Sequence, residues 1–157
     1  MAVTLRSPQP VLHPRVLVVD DEPLIRWSIG ETLSEIGWSV VEAGDARGAL
    51  CAAREGHVPF TVVVLDLKLP DSQDLSLLAR LRELLSPVEI IVMTAHGTPE
   101  IVTSALAMGA RSVLHKPFGL TELTDAVSEA RRLSEACVQP VPPANGAMID
   151  ATHSHAR

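Results

Sequence analysis

Asp20, Asp21 and Glu22 stand together directly after the apolar run Val16–Val19, with Pro23 behind them. Adjacent carboxylates repel one another, and each resists being drawn out of water, so a positive partner is required. Asp66 closes "FTVVVLD", Thr94 closes "VEIIVMT" and Lys116 closes "RSVLHK". Clustered carboxylates are hard oxygen ligands that suit Mg2+, which takes one or two of them and keeps waters or phosphate oxygens for its remaining positions. A hydroxyl and an ammonium opposite such an ion complete a set of electropositive contacts for phosphoryl oxygens. Phosphoryl transfer asks mainly for positioning and charge stabilisation. A carboxylate in the cluster is also a candidate acceptor, since aspartyl phosphates are known covalent intermediates.

These residues meet only if several strand ends share one edge. The hydrophobic pattern predicts strands over 15–20, 38–43, 60–66, 88–94 and 111–116. Between and after them it predicts helices over 23–36, 45–55, 74–85, 98–108 and 119–136. Ile25, Ile29, Leu33 and Ile36 form the apolar stripe of the first helix, leaving Trp27 outside it; Leu75, Leu78, Leu81 and Leu85 mark the third. Gly37, Gly109 and Pro87 end helices. Five strand–helix units in succession predict an α/β, doubly wound, five-stranded parallel sheet with helices on both faces. In such a sheet ligands sit beyond the carboxyl ends of the strands, where Asp20, Asp21, Asp66, Thr94 and Lys116 fall.

Each residue also has a plain structural reading. The acids at 20–22 favour a helix N-terminus through its dipole, Asp66 suits a turn, and Thr94 and Lys116 suit a loop. Pro23 fits the first helical position and puts the cap at Glu22, so Asp20 and Asp21 precede the helix. Complementary groups at the ends of four strands argue for a site rather than coincidence.

The chain has 157 residues, 46% hydrophobic and 20% charged, enough for one domain with a core of Val, Leu, Ile and Ala; it has no Tyr and only 3% aromatics. The net charge of −6 argues against a general nucleic-acid binder. No apolar run approaches the ~20 residues of a membrane helix. Cys51 and Cys137 show no disulfide framework or zinc spacing and read as reduced thiols in a cytoplasmic protein. Residues 1–13 read as a flexible lead-in, and the Pro-containing stretch 137–157 as a disordered or loosely docked tail. His153 and His155 in that tail read as solvated rather than as a metal site.

The segments "VLVVDDEP", "VVVLDLKLPDSQDLSLL", "IIVMTAHGT" and "MGARSVLHKPF" together resemble the receiver domain of bacterial two-component response regulators. The resemblance covers about residues 14–136, and "MTAHG" and "KPF" are most similar to receivers of nitrogen-regulatory, enhancer-binding regulators. It implies a flavodoxin-like (βα)5 fold with Asp66 as phosphoacceptor and Mg2+ held by Asp20, Asp21, Asp66 and the Lys68 carbonyl. It implies Thr94 as the switch hydroxyl, Lys116 as the cation that pairs with the phosphoryl group, and the Leu67 and Ala95 amides facing that group. It also implies a cis Lys116–Pro117 bond. The donor would be a phosphohistidine on a histidine kinase or histidine phosphotransfer protein. Two positions depart from the pattern. Val113 stands where an aromatic is frequent, so an inward ring swing is unavailable. Asp74 stands where Gly is favoured, and it suits a cap for the following helix.

Rival readings fit less well. A haloacid-dehalogenase-type, Mg2+-dependent phosphatase acting on small molecules wants a carboxylate two residues after its nucleophile, where this chain has Lys68. A nucleotide- or flavin-binding module wants a Gly-rich phosphate loop after the first strand, and "DDEP" carries the opposite charge. About twenty residues after the last helix are too few for a DNA-binding or ATPase domain. The expected output is therefore contact with an unknown downstream protein, self-association, or onward transfer as a phosphorelay shuttle or phosphate sink, with no direct nucleic-acid or membrane contact.

Overall fold

The computed structural model describes residues 12–137. The lead-in up to residue 11 and the tail from 138 onward, with His153 and His155, lie outside the described residues. Five strands alternate with five helices: β1 (Arg15–Val19), α1 (Pro23–Glu35), β2 (Ser39–Ala43), α2 (Ala46–Glu55), β3 (Val62–Asp66), α3 (Ser76–Leu85), β4 (Glu89–Thr94), α4 (Pro99–Ala107), β5 (Ser112–His115) and α5 (Leu120–Cys137). All pairings are parallel and the strand order is β2-β1-β3-β4-β5. This is the doubly wound parallel sheet that the sequence pattern predicts, in the flavodoxin-like (βα)5 form that the resemblance implies.

The central strands are apolar throughout because both faces are covered. Val16 to Val19 of β1 and Val62 to Leu65 of β3 are buried. Alternation along each strand then divides the core in two. Val16, Val18, Val62, Val64, Ile91 and Met93 pack against Ile29 and Leu33 of α1 and Leu123 and Val127 of α5. Leu17, Val19, Val63, Leu65, Ile90 and Val92 pack against α2, α3 and Ala105 of α4. Val113 joins this second cluster, half-buried.

The α1 stripe is shorter than its periodicity predicts. Ile29 and Leu33 are buried and Ile25 is half-buried, but Ile36 is exposed. The helix ends one residue earlier, Ile36 is its C-cap, and Gly37 turns the chain at φ +95°. That left-handed turn returns the Gly37 amide to Ser34 O and the Trp38 amide to Leu33 O, both at 3.1 Å, satisfying carbonyls that the helix leaves open. Trp38 then fills the core position expected of Ile36 and is buried. In α3 the buried residues are Leu77, Leu78 and Leu81. Leu75 precedes the helix as its N-cap and is half-buried. The Asp74 carboxylate accepts the Ser76 amide at 2.9 Å, so it caps α3 as its position suggests.

Strand order reverses between β1, which pairs with β2, and β3, which leads on to β4 and β5. The crevice at that reversal opens beyond the carboxyl ends of β1 and β3, where Asp20 and Asp66 lie.

Candidate functional site

Asp20 follows β1 directly and is fully buried, while Asp21 beside it is exposed. Pro23 occupies the first turn of α1 and Glu22 is its N-cap, without a side-chain capping bond. The Asp20 carboxylate serves there instead: Oδ1 accepts the Glu22 amide at 2.9 Å. The Asp20 main chain is held on both sides. Its amide donates to Ala43 O at 3.1 Å, and its carbonyl accepts Arg26 Nη1 of α1 at 2.6 Å.

Asp66 ends β3 and is buried. Its Oδ1 accepts the Lys68 amide at 2.9 Å. Lys116 follows β5, and its Nζ lies 2.7 Å from Asp20 Oδ2 and 2.9 Å from Asp66 Oδ2. One ammonium thus bridges two buried carboxylates from separate strands. Burial pulls the Lys116 pKa down, but hydrogen bonds and charge from Asp20 and Asp66 reverse this and hold it above the ordinary lysine value. The Lys116–Pro117 bond is cis, as the resemblance implies.

Thr94 ends β4, and its buried Oγ1 accepts the His96 amide at 3.2 Å. The Lys116 amide donates to Thr94 O at 2.8 Å, joining the β4 and β5 ends. Asp21, Asp66, Lys68, Thr94, Ala95 and Lys116 all line one open cavity of about 570 Å3, with Asp74 and His96 also on its walls. Asp20 joins the cluster through its carboxylate, which lies close to those of Asp21 and Asp66.

The site can hold a hard cation. Carboxylate oxygens of Asp20, Asp21 and Asp66 lie within 4.8 Å of one another, and no nitrogen or sulfur ligand joins them among the described residues. Two of these acids are already partly neutralised by Lys116, whereas Asp21 makes no side-chain hydrogen bond among the described residues. An exposed, unpaired carboxylate beside two buried ones fits Mg2+, which keeps most of its water and takes few protein ligands.

The structure therefore brings together every residue the sequence nominates: Asp20, Asp21, Asp66, Lys68, Thr94 and Lys116. The Leu67 amide donates to Met93 O at 3.2 Å, continuing the β3–β4 ladder, and the Lys68 amide meets the Asp66 carboxylate. Arg26 was not anticipated. A cation near the start of a helix is opposed by the helix dipole, and that misplacement is the signal that it serves a partner outside α1. Gly97, in the loop after Thr94, makes a close approach: a Cβ there would lie 2.7 Å from Thr94 Cγ2 and 3.1 Å from His115 Cε1, so a larger residue would push on Thr94.

Comparison with known proteins agrees with this geometry. The model of the response regulator receiver domain family matches residues 16–128. The chain is 38% identical over 124 residues to the transcriptional regulatory protein KdpE of Mycobacterium tuberculosis, covering 79% of this chain and 54% of that protein. It is 27% identical over 119 residues to sporulation initiation phosphotransferase F of Bacillus subtilis, covering 76% of this chain and 94% of that one. A CheY-like receiver domain protein from Methanospirillum hungatei superposes with a TM-score of 0.74 at 27% identity, covering 79% of this chain and 98% of the other. The chain spans about half the length of the transcriptional regulators it matches. No helix among the described residues is long and apolar enough to cross a membrane.

Proposed function

The chain belongs to the response regulator receiver domain family of two-component signalling, and from that premise we propose that Asp66 is its phosphoacceptor. The observation that carries this reading is the Lys116 bridge, which ties Asp66 to Asp20 across the sheet's switch point. In the proposed reaction an Asp66 carboxylate oxygen forms a bond to phosphorus as the P–N bond of a phosphohistidine breaks. The electron pair leaves on the imidazole, which takes up a proton. Lys116 balances the negative charge that gathers on the phosphoryl oxygens, and the Lys68 amide orients the carboxylate through Oδ1. The Thr94 hydroxyl turns toward the new group and gives up its place under the His96 amide. Asp20, Asp21, Asp66 and the Lys68 carbonyl would hold Mg2+, whose role when bound is to neutralise phosphoryl charge.

The receiver unit is assigned to residues 14–136. On this reading the chain catalyses only its own aspartyl phosphorylation and dephosphorylation, acts in the cytoplasm, and takes its phosphoryl group from a histidine kinase or a histidine phosphotransfer protein. Its output is contact with a downstream protein or self-association, without direct contact to nucleic acid or membrane. A second reading, a phosphorelay shuttle that passes the group on, is favoured by the likeness to phosphotransferase F over nearly that protein's whole length.

Labelling by acetyl phosphate with Mg2+ tests the assignment. The parent should label and Asp66→Asn should not. Undiminished labelling of the variant would remove Asp66 from the role. Asp21→Ala should abolish most Mg2+ binding in a calorimetric titration, and unchanged binding would remove Asp21 as a ligand.

A further inference from the structure

Asp71 lies on the loop between Asp66 and α3, and its carboxylate bonds outside that loop. Oδ1 accepts the Ala46 amide at 2.8 Å and Oδ2 accepts the Arg47 amide at 3.0 Å. These are the first two amides of α2, 25 and 24 residues away in the chain. Helix-opening amides have no intrahelical acceptor and carry the positive end of the dipole, so a carboxylate is well matched to them. The two amides, Ala46 first, hold the Asp71 carboxyl below the ordinary aspartate range.

The α2 N-terminus already has its own cap. Asp45 is the N-cap residue, and its Oδ1 accepts the Gly48 amide at 2.6 Å. Asp45 takes the third amide and Asp71 the first two, so Asp71 ties the helix start to the loop that supplies it.

That loop is a chain of fixed points. Lys68 donates its amide to Asp66 Oδ1. The next residue, Leu69, is buried and exchanges two backbone hydrogen bonds with Ser72, at 2.9 and 3.3 Å, closing a tight turn around Pro70 and Asp71. Lys68 is therefore strung between the phosphoacceptor and a turn whose tip is moored to α2. We infer that Asp71 is a positioning residue of the phosphoryl-transfer site: its bond to the α2 N-terminus fixes the Leu69–Ser72 turn and, through it, the Lys68 peptide against Asp66. The role toward Mg2+ rests on the function proposed above; the mooring of the Lys68 peptide does not.

Two variants separate positioning from mere support of α2. Asp71→Ala removes the mooring, and Asp45→Ala removes a cap from the same helix end without touching the loop. In native-state amide exchange without Mg2+, Asp71→Ala should speed exchange at Lys68, Leu69 and Ser72, while Asp45→Ala should leave these three amides unchanged and speed exchange within α2. In calorimetric titration with Mg2+, Asp71→Ala should weaken binding about 10-fold, the low end for outer partners of a metal site, and Asp45→Ala should match the parent. Asp71→Asn keeps an acceptor for one amide and should fall between. Unchanged exchange at Lys68 in Asp71→Ala, or equal changes at Lys68 in both variants, would overturn the inference. A parent that binds no Mg2+ but shows the exchange pattern would overturn the proposed function and leave the mooring standing.

Discussion

The carboxyl edge of the sheet is built in two halves of unequal stiffness. On the β1–β3 side, both oxygens of Asp20 and both of Asp66 are engaged, Arg26 and Ala43 hold the Asp20 peptide, and Asp71 moors the loop after Asp66. The helices behind it are well seated, with Leu77, Leu78 and Leu81 of α3 and Ile29 and Leu33 of α1 in the core. On the β4–α4 side, Thr94 holds its loop by one 3.2 Å bond, and α4 buries Ala105 alone. Ile101, Leu106 and Met108 around that helix are exposed. Few buried apolar contacts mean a low free energy of local opening. The rigid half has the form of a reaction site and the loose half that of a reporter, and Thr94 is the residue that belongs to both.

The largest expected effect comes from removing the ion that locks the rigid half. Lys116→Ala leaves Asp20 fully buried beside Asp66 with no cation, which should cost about 3 kcal/mol of stability. Added Mg2+ should recover more stability in the variant than in the parent, because it replaces the missing charge. The sign with pH follows from the raised pKa of Lys116. Its contribution is whole below the ordinary lysine value of 10.5 and is lost as pH rises through the higher folded value. Chemical denaturation of parent and variant, with and without Mg2+, checks this. A variant as stable as the parent would show that the two halves do not differ as argued.

Thr94→Ala should cost far less, about 1 kcal/mol, since its hydroxyl makes one weak bond to the His96 amide. Its signature should be a loss of coupling. Beryllofluoride with Mg2+ should alter amide exchange over residues 95–108 in the parent, and in Thr94→Ala the change should stay near Asp66. With Val113 half-buried in the second core cluster and no ring there to swing, the β4–α4 loop is the route left for the signal. Silence over 95–108 in the parent would favour the shuttle reading, in which the loose half reports nothing.

The two halves also differ in how far the sequence revealed them. Asp20, Asp21, Asp66, Thr94 and Lys116 were legible because each ends a strand, and a parallel sheet brings strand ends to one edge whatever the loops do. All ten elements were legible from period and punctuation, with ends shifted by one or two residues. The moorings were not. Asp71 reads locally as a turn residue, and its partners lie 25 and 24 positions away, beyond any periodic signal. Ile36 continued the α1 pattern in the sequence but not in space, because the helix stops before it. The ladder to Met93 runs one residue further than β3 itself, which no strand pattern in the sequence marks. Ser86–Pro87 is cis as well, and the sequence held nothing to separate it from an ordinary X-Pro bond.

The smallest expected effect tests which half a phosphodonor protein meets. Trp27 is 61% exposed and Leu24 is 81% exposed, three residues apart on α1, so they share one face of the helix. Large apolar side chains paired in this way on the surface are suited to anchoring a partner. Glu22 and Leu24 line a groove that continues to Ala95, Lys116 and Phe118, which places Leu24 beside the candidate site, with Trp27 one turn further along α1. Because Trp27 lies outside the core, Trp27→Ala should change stability by no more than about 0.5 kcal/mol, and labelling by acetyl phosphate should match the parent. Transfer from a histidine kinase should slow, because a protein donor must dock before Asp66 can reach the phosphorus, whereas a small donor need not. If Trp27→Ala accepts phosphate from the kinase at the parent's rate while Ile101→Ala on α4 does not, the donor docks on the loose half, and the division between reaction and report would have to be drawn elsewhere.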